Sequence, residues 1–405
     1  MRKFGLALLL LVAPALRASD LTLIGATVYP SPDSEPIRNA TIVIHGGRIA
    51  SVGPPAASRT GEVLDCSGKF VVAGFWNSHV HLFTPGLLHV AQSSASDLDA
   101  QLDAMLNRWG FTTVWDIASI LDNTLALRRR IASGEVRGPR IFTVGEPLWT
   151  AIPIYVRDYL AANRIDMPAV TTAVAAVEIV RAHAQRGADG IKLFSGSIQA
   201  GGKIANMPVD MMRAAVKEAH RHHLPVFAHP QNSAGLEASI EAGVDILAHT
   251  APDSPRWTAE FVGRLRRARI ALIPTLTLFD VEARKDGVSD REREQWLEKM
   301  VAELRAFSEN GGEVLFGTDV GYIDHFDTAL EFDLMHRAGL NYRRILTALT
   351  TNPARRFHAD SHSGRIARGF DGDLVVLDAD PAADVTNFSR VRYTIRAGQI
   401  IWKAE

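Results

Sequence analysis

Two histidines separated by one residue, His79 and His81, follow an apolar run and are the first candidates for chemistry in this 405-residue chain. In a β-strand, residues i and i+2 point to the same side, so the two imidazoles would be presented together. Neutral imidazoles are common ligands of transition metals. The pair alone is also compatible with a polar loop, so a metal site requires further ligands from elsewhere in the chain.

Four more ionisable residues stand at the ends of later apolar runs: Lys192, His229, His249 and Asp319. Each one alone has an ordinary structural explanation, such as a hydrogen-bonded core histidine, half of an ion pair or a helix N-cap. Their shared position at the end of a run changes this interpretation. Buried ionisable groups are costly unless they are paired or metal-bound, so a shared metal centre explains all of them at once.

Composition limits the other classes of function. Lys plus Arg (44) and Asp plus Glu (45) nearly balance, giving a net charge of −1, so no basic bias indicates nucleic-acid binding. Hydrophobic residues make up 47% and charged residues 22%, as in soluble globular proteins. The single cysteine, Cys66, excludes an internal disulfide and a cysteine-rich metal site. Any metal must therefore be held by nitrogen and oxygen ligands.

The middle of the chain alternates between strand-like and helical patterns. Besides the run before His79, seven apolar runs cover Thr112–Trp115, Arg140–Val144, Gly190–Phe194, Pro225–Ala228, Asp245–Ala248, Ile270–Thr275 and Val314–Gly317. Apolar residues three and four apart predict helices over Asp97–Trp109, Thr171–Arg186, Met207–His223, Ser254–Arg269, Arg291–Asn310 and Asp327–Gly339. This alternation predicts an α/β fold with a (β/α)8 TIM barrel, whose chemistry lies at the carboxyl ends of the strands. An open doubly wound sheet is the competing fold, but the Gly-rich phosphate turn it usually carries is missing.

Both ends of the chain have a different pattern, with short β-rich runs around turns. These runs are Leu21–Ile24, Ala40–Ile44, Arg48–Val52, Asp373–Asp378, Val391–Ile395 and Gln399–Trp402. We predict one small β-sandwich domain built from both chain ends. Its N-terminal part would cover 19–68, the barrel 69–364 and its C-terminal part 365–405.

The first residues have the pattern of a targeting segment. Arg2 and Lys3 precede an apolar core that runs from Phe4 to about Ala15. This core is too short for a membrane-spanning helix, which needs about 20 residues. We predict a cleavable signal peptide over 1–18, a secreted or periplasmic protein and no stable membrane anchor. An N-terminal anchor and a buried strand are the alternatives.

Together, the motifs resemble those of the amidohydrolase superfamily of metal-dependent hydrolases, in particular the imidazolonepropionase-like and the Xaa-Pro and Xaa-basic dipeptidase-like branch. The resemblance runs from about Leu21 to Trp402. The matching segments are Gly74–His81, Ile191-Lys192, Ala228-His229, Ala248-His249, Gly317–Asp319, Thr350–Arg355 and Gly372–Asp378.

The resemblance implies two divalent metal ions, with zinc favoured for imidazole and oxygen ligands and manganese, cobalt or iron as substitutes. One metal would be held by His79, His81 and Asp319, and the other by His229 and His249. Lys192 would be carboxylated by carbon dioxide and bridge both. An ammonium offers only hydrogen-bond donors, whereas a carbamate supplies two anionic oxygens.

The implied reaction is hydrolysis of a C–N bond in an amide, small peptide or cyclic amide. A metal-bridging hydroxide would attack the carbonyl, and Asp319 would act as general base and then acid. Two alternatives stay open: a mononuclear deaminase of the same superfamily and a non-catalytic binding protein on the same scaffold. Lys192 argues against the deaminase, because mononuclear members do not need a bridge. The sequence is compatible with a homo-oligomer.

Several positions depart from the family pattern. Ala73 and Asn77 stand where proline and aspartate are common, and we expect them to affect only the support of the metal ligands. The residues with which the dipeptidases bind a free carboxylate are missing. We therefore do not assign dipeptidase specificity to this chain. We predict substrate contacts from residues that follow the strands, namely Trp149, Ser195, Ser197, Gln231, Thr275, Thr277 and Tyr322. We interpret His220, His222 and His223 as structural, and His325 as a weaker substrate candidate.

Overall fold

The computed structural model describes residues 20–55, 59–251 and 254–405. The predicted signal peptide at 1–18 lies outside these residues. Within the described ranges, no helix combines the length and the apolar character needed to cross a membrane.

The strands of the described residues are β1 (Leu21–Val28), β2 (Ile37–His45), β3 (Arg48–Gly53), β4 (Glu62–Asp65), β5 (Phe70–Ala73), β6 (Phe75–Val80), β7 (Phe111–Asp116), β8 (Arg140–Thr143), β9 (Ile191–Phe194), β10 (Gly196–Ile198), β11 (Ile204–Asn206), β12 (Val226–His229), β13 (Ile246–Ala248), β14 (Ala271–Ile273), β15 (Leu374–Leu377), β16 (Val391–Arg396) and β17 (Gln399–Lys403).

The α-helices are α1 (Ala95–Met105), α2 (Leu121–Ala132), α3 (Ile154–Ala162), α4 (Ala173–Arg186), α5 (Val209–Arg221), α6 (Ser233–Ala242), α7 (Ala259–Arg267), α8 (Leu276–Lys285), α9 (Asp290–Glu309), α10 (Ala329–Arg337), α11 (Tyr342–Leu349) and α12 (Thr351–Arg356). All six helices expected from apolar spacing are present, with shifted ends. Helices α2, α3, α6, α8 and α11 were not expected.

One sheet takes strands from both ends of the chain, in the order β17-β16-β15-β5-β1-β2-β3, with β4 also paired to β1. The two ends meet where β5 pairs antiparallel with β15 and parallel with β1. Leu23, Ile42, Val71 and Val376 are buried together along this sheet, so the hydrophobic effect joins the ends. The sandwich arrangement and the domain boundaries stay predictions.

The chain leaves this sheet at Gly74. The apolar run Phe70–Ala73 belongs to the chain-end sheet, whereas the strand that carries His79 begins at Phe75. A Cβ atom on Gly74 would lie 2.2 Å from the Thr112 hydroxyl oxygen. Glycine therefore permits the close passage from one sheet to the other.

Seven of the remaining strands form two parallel sheets, β6-β7-β8 and β14-β13-β12-β9, and β10 pairs antiparallel with β11. Single parallel backbone pairings extend beyond these sheets, at Leu148 with Leu193, Leu272 with Val314 and Val80 with Val320. Parallel strands alternating with helices along the chain confirm the predicted α/β fold.

The segment Val314–Gly317, predicted as the eighth strand, is not a regular strand. The Phe316 N–H donates to the carbonyl of Ala348 in α11 at 3.1 Å rather than to a neighbouring strand. The segment still lies between β14 and β6, because Leu315 N–H donates to Leu272 and Ser78 N–H donates to Phe316. These contacts bring the end of the segment beside β6.

Large aromatic residues fill the interior between the parallel strands. Trp115 lies with its ring centroid 5.0 Å from that of Phe142 and 4.5 Å from that of Phe357, and Trp76 stacks on both phenylalanines. Phe227 completes this cluster. These contacts give the interior a packed aromatic core.

Candidate functional site

Three side-chain atoms converge at the end of β6. His79 Nε2 lies 3.2 Å from His81 Nε2 and 3.1 Å from Asp319 Oδ1, and His81 Nε2 lies 2.8 Å from the same carboxylate oxygen. Asp319 reaches this position because its N–H donates to the His79 carbonyl at 2.9 Å. The fold thereby brings His79 and His81 together with Asp319, which lies more than 200 residues later in the sequence.

These atoms fit a cation. Asp319 Oδ1 is buried and makes no hydrogen bond of acceptable geometry within the described residues. Burial lowers the pKa of His79 to about 3, so this imidazole is neutral and has a lone pair to offer. A buried carboxylate oxygen facing imidazole nitrogens is the environment that a divalent metal satisfies.

His249 extends the cluster on the other side of Asp319. Its Nε2 lies 3.8 Å from Asp319 Oδ2, and its ring centroid lies 4.6 Å from that of His79. His79, His249 and Asp319 thus form a group of buried residues that could hold one ion. This grouping differs from the predicted pairing of His249 with His229. Asp319 lies between His249 on one side and His79 and His81 on the other.

His229 lies at the edge of the same cluster. Its ring centroid is 4.7 Å from that of His249, and its ring stacks on Phe194 at 4.6 Å. Its Nε2 is 3.0 Å from Gln231 Oε1. Burial lowers the pKa of His229 to about 3 and that of His249 well below its usual value. Both imidazoles are therefore neutral.

Lys192 lies on β9 with only 1% of its surface exposed. Its Nζ is 5.6 Å from the Phe194 ring centroid, and burial lowers the pKa of its amine to about 7. Lys192 pairs in register with Phe227 of β12, the neighbouring strand, which also carries His229. A lysine buried this deeply among neutral histidines needs a special partner or a modification.

Three strand ends at the site have left-handed backbone conformations without glycine. His249, Thr275 and Asp319 have φ angles of 87°, 45° and 62°. Such conformations cost about 1–3 kcal/mol each and persist where surrounding contacts enforce them. Here they redirect the chain so that His249 and Asp319 face the cluster.

A buried carboxylate, Asp116 at the end of β7, supports His81. It accepts hydrogen bonds from the Leu82 N–H at 3.1 Å and from the Ser119, Thr124 and Thr143 hydroxyls. The Ser119 contact fixes the turn whose Ala118 carbonyl lies 3.0 Å from His81 Nδ1. If Nδ1 carries the proton, Nε2 is free to face Asp319.

Asn77 supports the same strand end from inside. Its amide nitrogen donates to the Thr318 hydroxyl at 2.8 Å, and its Oδ1 accepts from the His79 N–H at 3.2 Å. The side chain therefore links β6 to the residue before Asp319. This contact fits the supporting role expected for Asn77.

Glu331 of α10 anchors the start of α8. Its carboxylate accepts from the N–H groups of Leu276 and Thr277 at 2.9 and 2.7 Å and from the Thr277 hydroxyl at 2.8 Å. Thr275, just before this helix, lies 2.6 Å through its hydroxyl from His249 Nδ1. Glu331 thus fixes the backbone next to the residue that orients His249.

The cluster opens into a cavity of about 700 Å³. Of the predicted substrate residues, Trp149, Gln231 and Tyr322 line it. The others have internal contacts and lie outside the lining: Ser195 donates to the His229 carbonyl, Thr275 contacts His249, Thr277 donates to Glu331, and Ser197 is buried in β10. Ser195 and Thr275 thus contact candidate ligands from outside the cavity, and Thr277 contacts Glu331. His325 is exposed and also lies outside the lining.

The cavity also contains residues that sequence reasoning missed. Tyr155 and Tyr159 come from α3, and Glu282 and Lys285 come from α8. The apolar residues of 154–162 were a usable helix signal, but nothing local indicated that this helix packs over the strand ends. Asp116 was missed by one residue, because the predicted strand stopped at Trp115.

The histidines at the end of α5 lie apart from the cavity. His220 Nε2 lies 2.9 Å from Asp245 Oδ2, and His222 Nε2 lies 3.4 Å from Glu218 Oε1. His223 follows in a left-handed conformation, with φ of 57°. These surface contacts fit the structural interpretation.

Comparison with known proteins gives a consistent result. A model of the amidohydrolase family matches residues 70–401. Ochratoxinase of Aspergillus niger is 24% identical, over 97% of this chain and 88% of its own length. A solved structure of a Xaa-Pro dipeptidase with methionine in its active site has a TM-score of 0.81 at 22% identity, covering 95% of this chain and 100% of that one. The structure of A. niger ochratoxinase has a TM-score of 0.78 at 20% identity, covering 96% of each chain. These structural likenesses establish a shared fold.

Proposed function

Since the chain belongs to the amidohydrolase family and is therefore a hydrolase, we propose that it uses two divalent metals to hydrolyse the C–N bond of an amide, small peptide or cyclic amide. The observation that carries this proposal is the convergence of His79 Nε2, His81 Nε2 and Asp319 Oδ1 within 3.2 Å of one another. The names of the relatives support the bond type, since a dipeptidase cleaves a peptide bond.

The proposed ligand sets are those expected from the family resemblance. His79, His81 and Asp319 would hold one ion, and His229 and His249 the other. When bound, such ions lower the pKa of a coordinated water and polarise a carbonyl. Zinc is the favoured metal, because the donors are imidazole nitrogens and carboxylate oxygens.

Asp319 has the position for proton transfer. Asp319 lines the cavity; its Oδ1 faces His79 and His81, whereas its Oδ2 lies 3.8 Å from His249 Nε2. We propose that Oδ2 takes the proton of the attacking water and gives it to the leaving nitrogen. Water thereby adds OH to the acyl carbon and H to the amine as the C–N bond breaks.

We propose that Lys192 is carboxylated by carbon dioxide and bridges the two ions. Its burial beside the histidine cluster supports this modification, because an ammonium has no lone pair to offer a cation. A carbamate would supply two anionic oxygens from the same position.

The proposed fold is a closed (β/α)8 barrel with a β-sandwich formed by the chain ends. The single pairings at Leu148–Leu193, Leu272–Val314 and Val80–Val320 support closure, because they continue the parallel sheets on both sides. We also propose secretion or export to the periplasm, supported by Arg2 and Lys3 before an apolar run.

Metal analysis and an activity screen test the proposal together. Purified protein should contain close to two metal ions per chain, and a library of amides and dipeptides should be hydrolysed only without chelator and best with bicarbonate. Lys192→Ala and His79→Ala should abolish metal-dependent hydrolysis. A content near one ion per chain would support a mononuclear deaminase instead. Full activity and normal metal content in both variants would refute the proposed centre.

A further inference from the structure

We propose that the cavity selects an uncharged amide that carries a bulky aromatic group, and that it discriminates against substrates that carry a free carboxylate. This inference rests on the proposed amide hydrolysis and adds the substrate class. It is carried by two independent properties of the cavity, its aromatic lining and the charges at its rim.

One wall of the cavity is aromatic and comes from α3 and the loops beside it. Tyr155 and Tyr159 belong to α3, and Trp149 precedes this helix. The Trp149 ring centroid lies 5.5 Å from that of Phe194, which stacks on His229. The apolar wall therefore extends directly to the candidate metal ligands.

A second part of the lining is aromatic as well. Phe279 of α8 and Trp296 of α9 contact each other with ring centroids 6.0 Å apart. Tyr322 contacts Tyr155 edge to face, with ring centroids 5.3 Å apart, and adds a further ring to the lining. A lining with this many aromatic rings favours an aromatic group in the substrate. A cavity of about 700 Å³ is far larger than a small peptide amide requires.

Away from the candidate metal ligands, the charged residues of the cavity do not suit a carboxylate. Protein sites for carboxylates commonly use an arginine fork or an unpaired lysine. Among the described residues that line this cavity there is no arginine. Lys285 has its Nζ 3.1 Å from Glu282 Oε1, so its charge is already paired.

Two more acidic residues, Asp286 and Asp324, are exposed in the cavity lining. Together with Glu282 they outnumber Lys285 at the rim. An approaching carboxylate would therefore meet net repulsion, whereas a neutral amide would not. The lining and the rim thus favour the same class of substrate.

A matched pair of substrates tests the inference. N-(2-naphthoyl)-2-phenylethylamine and N-(2-naphthoyl)-L-phenylalanine share one skeleton and differ in a carboxylate, and both release 2-naphthoic acid. With metal-loaded enzyme, kcat/KM should be at least tenfold higher for the neutral compound. It should be at least 100-fold higher than for N-methylacetamide, which has no aromatic group. Equal or inverted preference in either comparison would overturn the inference.

Variants of the rim separate charge from packing. In Asp286→Asn/Asp324→Asn the preference for the neutral compound should fall severalfold, whereas the control Asp333→Asn/Asp360→Asn, with substitutions outside the cavity lining, should retain it. An unchanged preference in the rim variant would overturn the role of the rim.

Binding distinguishes this inference from the proposed function. Titration calorimetry of the His79→Ala variant with both naphthoyl compounds should show tighter binding of the neutral one by at least tenfold. If neither compound is cleaved by the wild type but this difference is found, hydrolysis fails and the ligand class stands. If both are cleaved but bind equally, hydrolysis stands and the ligand class is refuted.

Discussion

The hydroxyl oxygen of Thr275 lies 2.6 Å from Nδ1 of His249, and the same hydroxyl donates to the Pro274 carbonyl at 2.8 Å. Because the hydroxyl proton is already used, the oxygen accepts the Nδ1 proton of His249. This contact leaves Nε2 of His249 unprotonated and facing Asp319. The tautomer of a candidate ligand is therefore set by a residue that does not touch the cavity.

Thr275→Val should lower metal affinity about 10- to 100-fold, because it removes this acceptor while keeping the shape of the side chain. Competition with a chromogenic chelator measures the affinity. Thr275→Ser, which keeps the hydroxyl, is the matched control and should bind metal nearly as the wild type does. Equal affinity in the valine and serine variants would show that the hydroxyl does not orient His249.

Asp116→Asn should destabilise the protein by about 1–3 kcal/mol, because one oxygen that accepts buried hydrogen bonds is replaced by a donor. It should also weaken metal binding, since the turn that fixes His81 loosens. Urea unfolding and metal titration measure the two effects. Asp360→Asn, at an exposed position, should change neither. An Asp116→Asn protein with wild-type stability would contradict the packing argument.

Glu303 predicts a pH dependence of stability. Burial raises the pKa of Glu303 to about 7, above its usual value, while its carboxylate contacts the Ala251 N–H and the Ser254 hydroxyl. The folded state then binds more protons than the unfolded state between about pH 4.5 and 7. The contribution of Glu303 to stability is therefore fully present below this window and is lost as the pH rises through it.

Glu303→Gln, which mimics the protonated carboxyl, should remove that part of the loss. The measurement is the free energy of unfolding in urea at pH 5 and pH 7 for both proteins. The wild type should lose more stability than the variant over this interval. Identical losses would mean that Glu303 is ionised in the folded state.

Metal removal should lower the melting temperature, because His79, His81 and Asp319 lose the cation that satisfies their buried atoms. A ligand at 100 times its dissociation constant stabilises the folded state by about 2.7 kcal/mol. Calorimetry after dialysis against chelator, with and without added zinc, measures the shift. His79→Ala should lose most of the zinc-dependent shift, and His325→Ala should keep it. A wild-type melting temperature that does not change when zinc is added would contradict the proposed metal site.

Much of the local structure follows from the sequence alone. Apolar spacing predicts α4, and Gly187, with φ of 92°, caps its C-terminal end. The strand runs place His229 and His249 at one edge, because the carboxyl ends of parallel strands lie on the same side. These predictions succeed because they depend on backbone periodicity and on chirality, which neighbouring residues determine. Lys192 was also expected at a strand end but lies within β9.

Tertiary packing decided what the sequence could not. The Ala348 carbonyl takes the Phe316 N–H, so the eighth run is not a regular strand. Helices α3 and α8 line the cavity, although their sequences do not indicate which strand ends they cover. Apart from the Ser119 contact of Asp116, Asp116 and Glu331 support the site through contacts with residues between 8 and 55 positions away. The sequence therefore determined which residues could do chemistry, whereas the tertiary structure determined their tautomers, their supports and the walls around them, because these depend on contacts between distant segments.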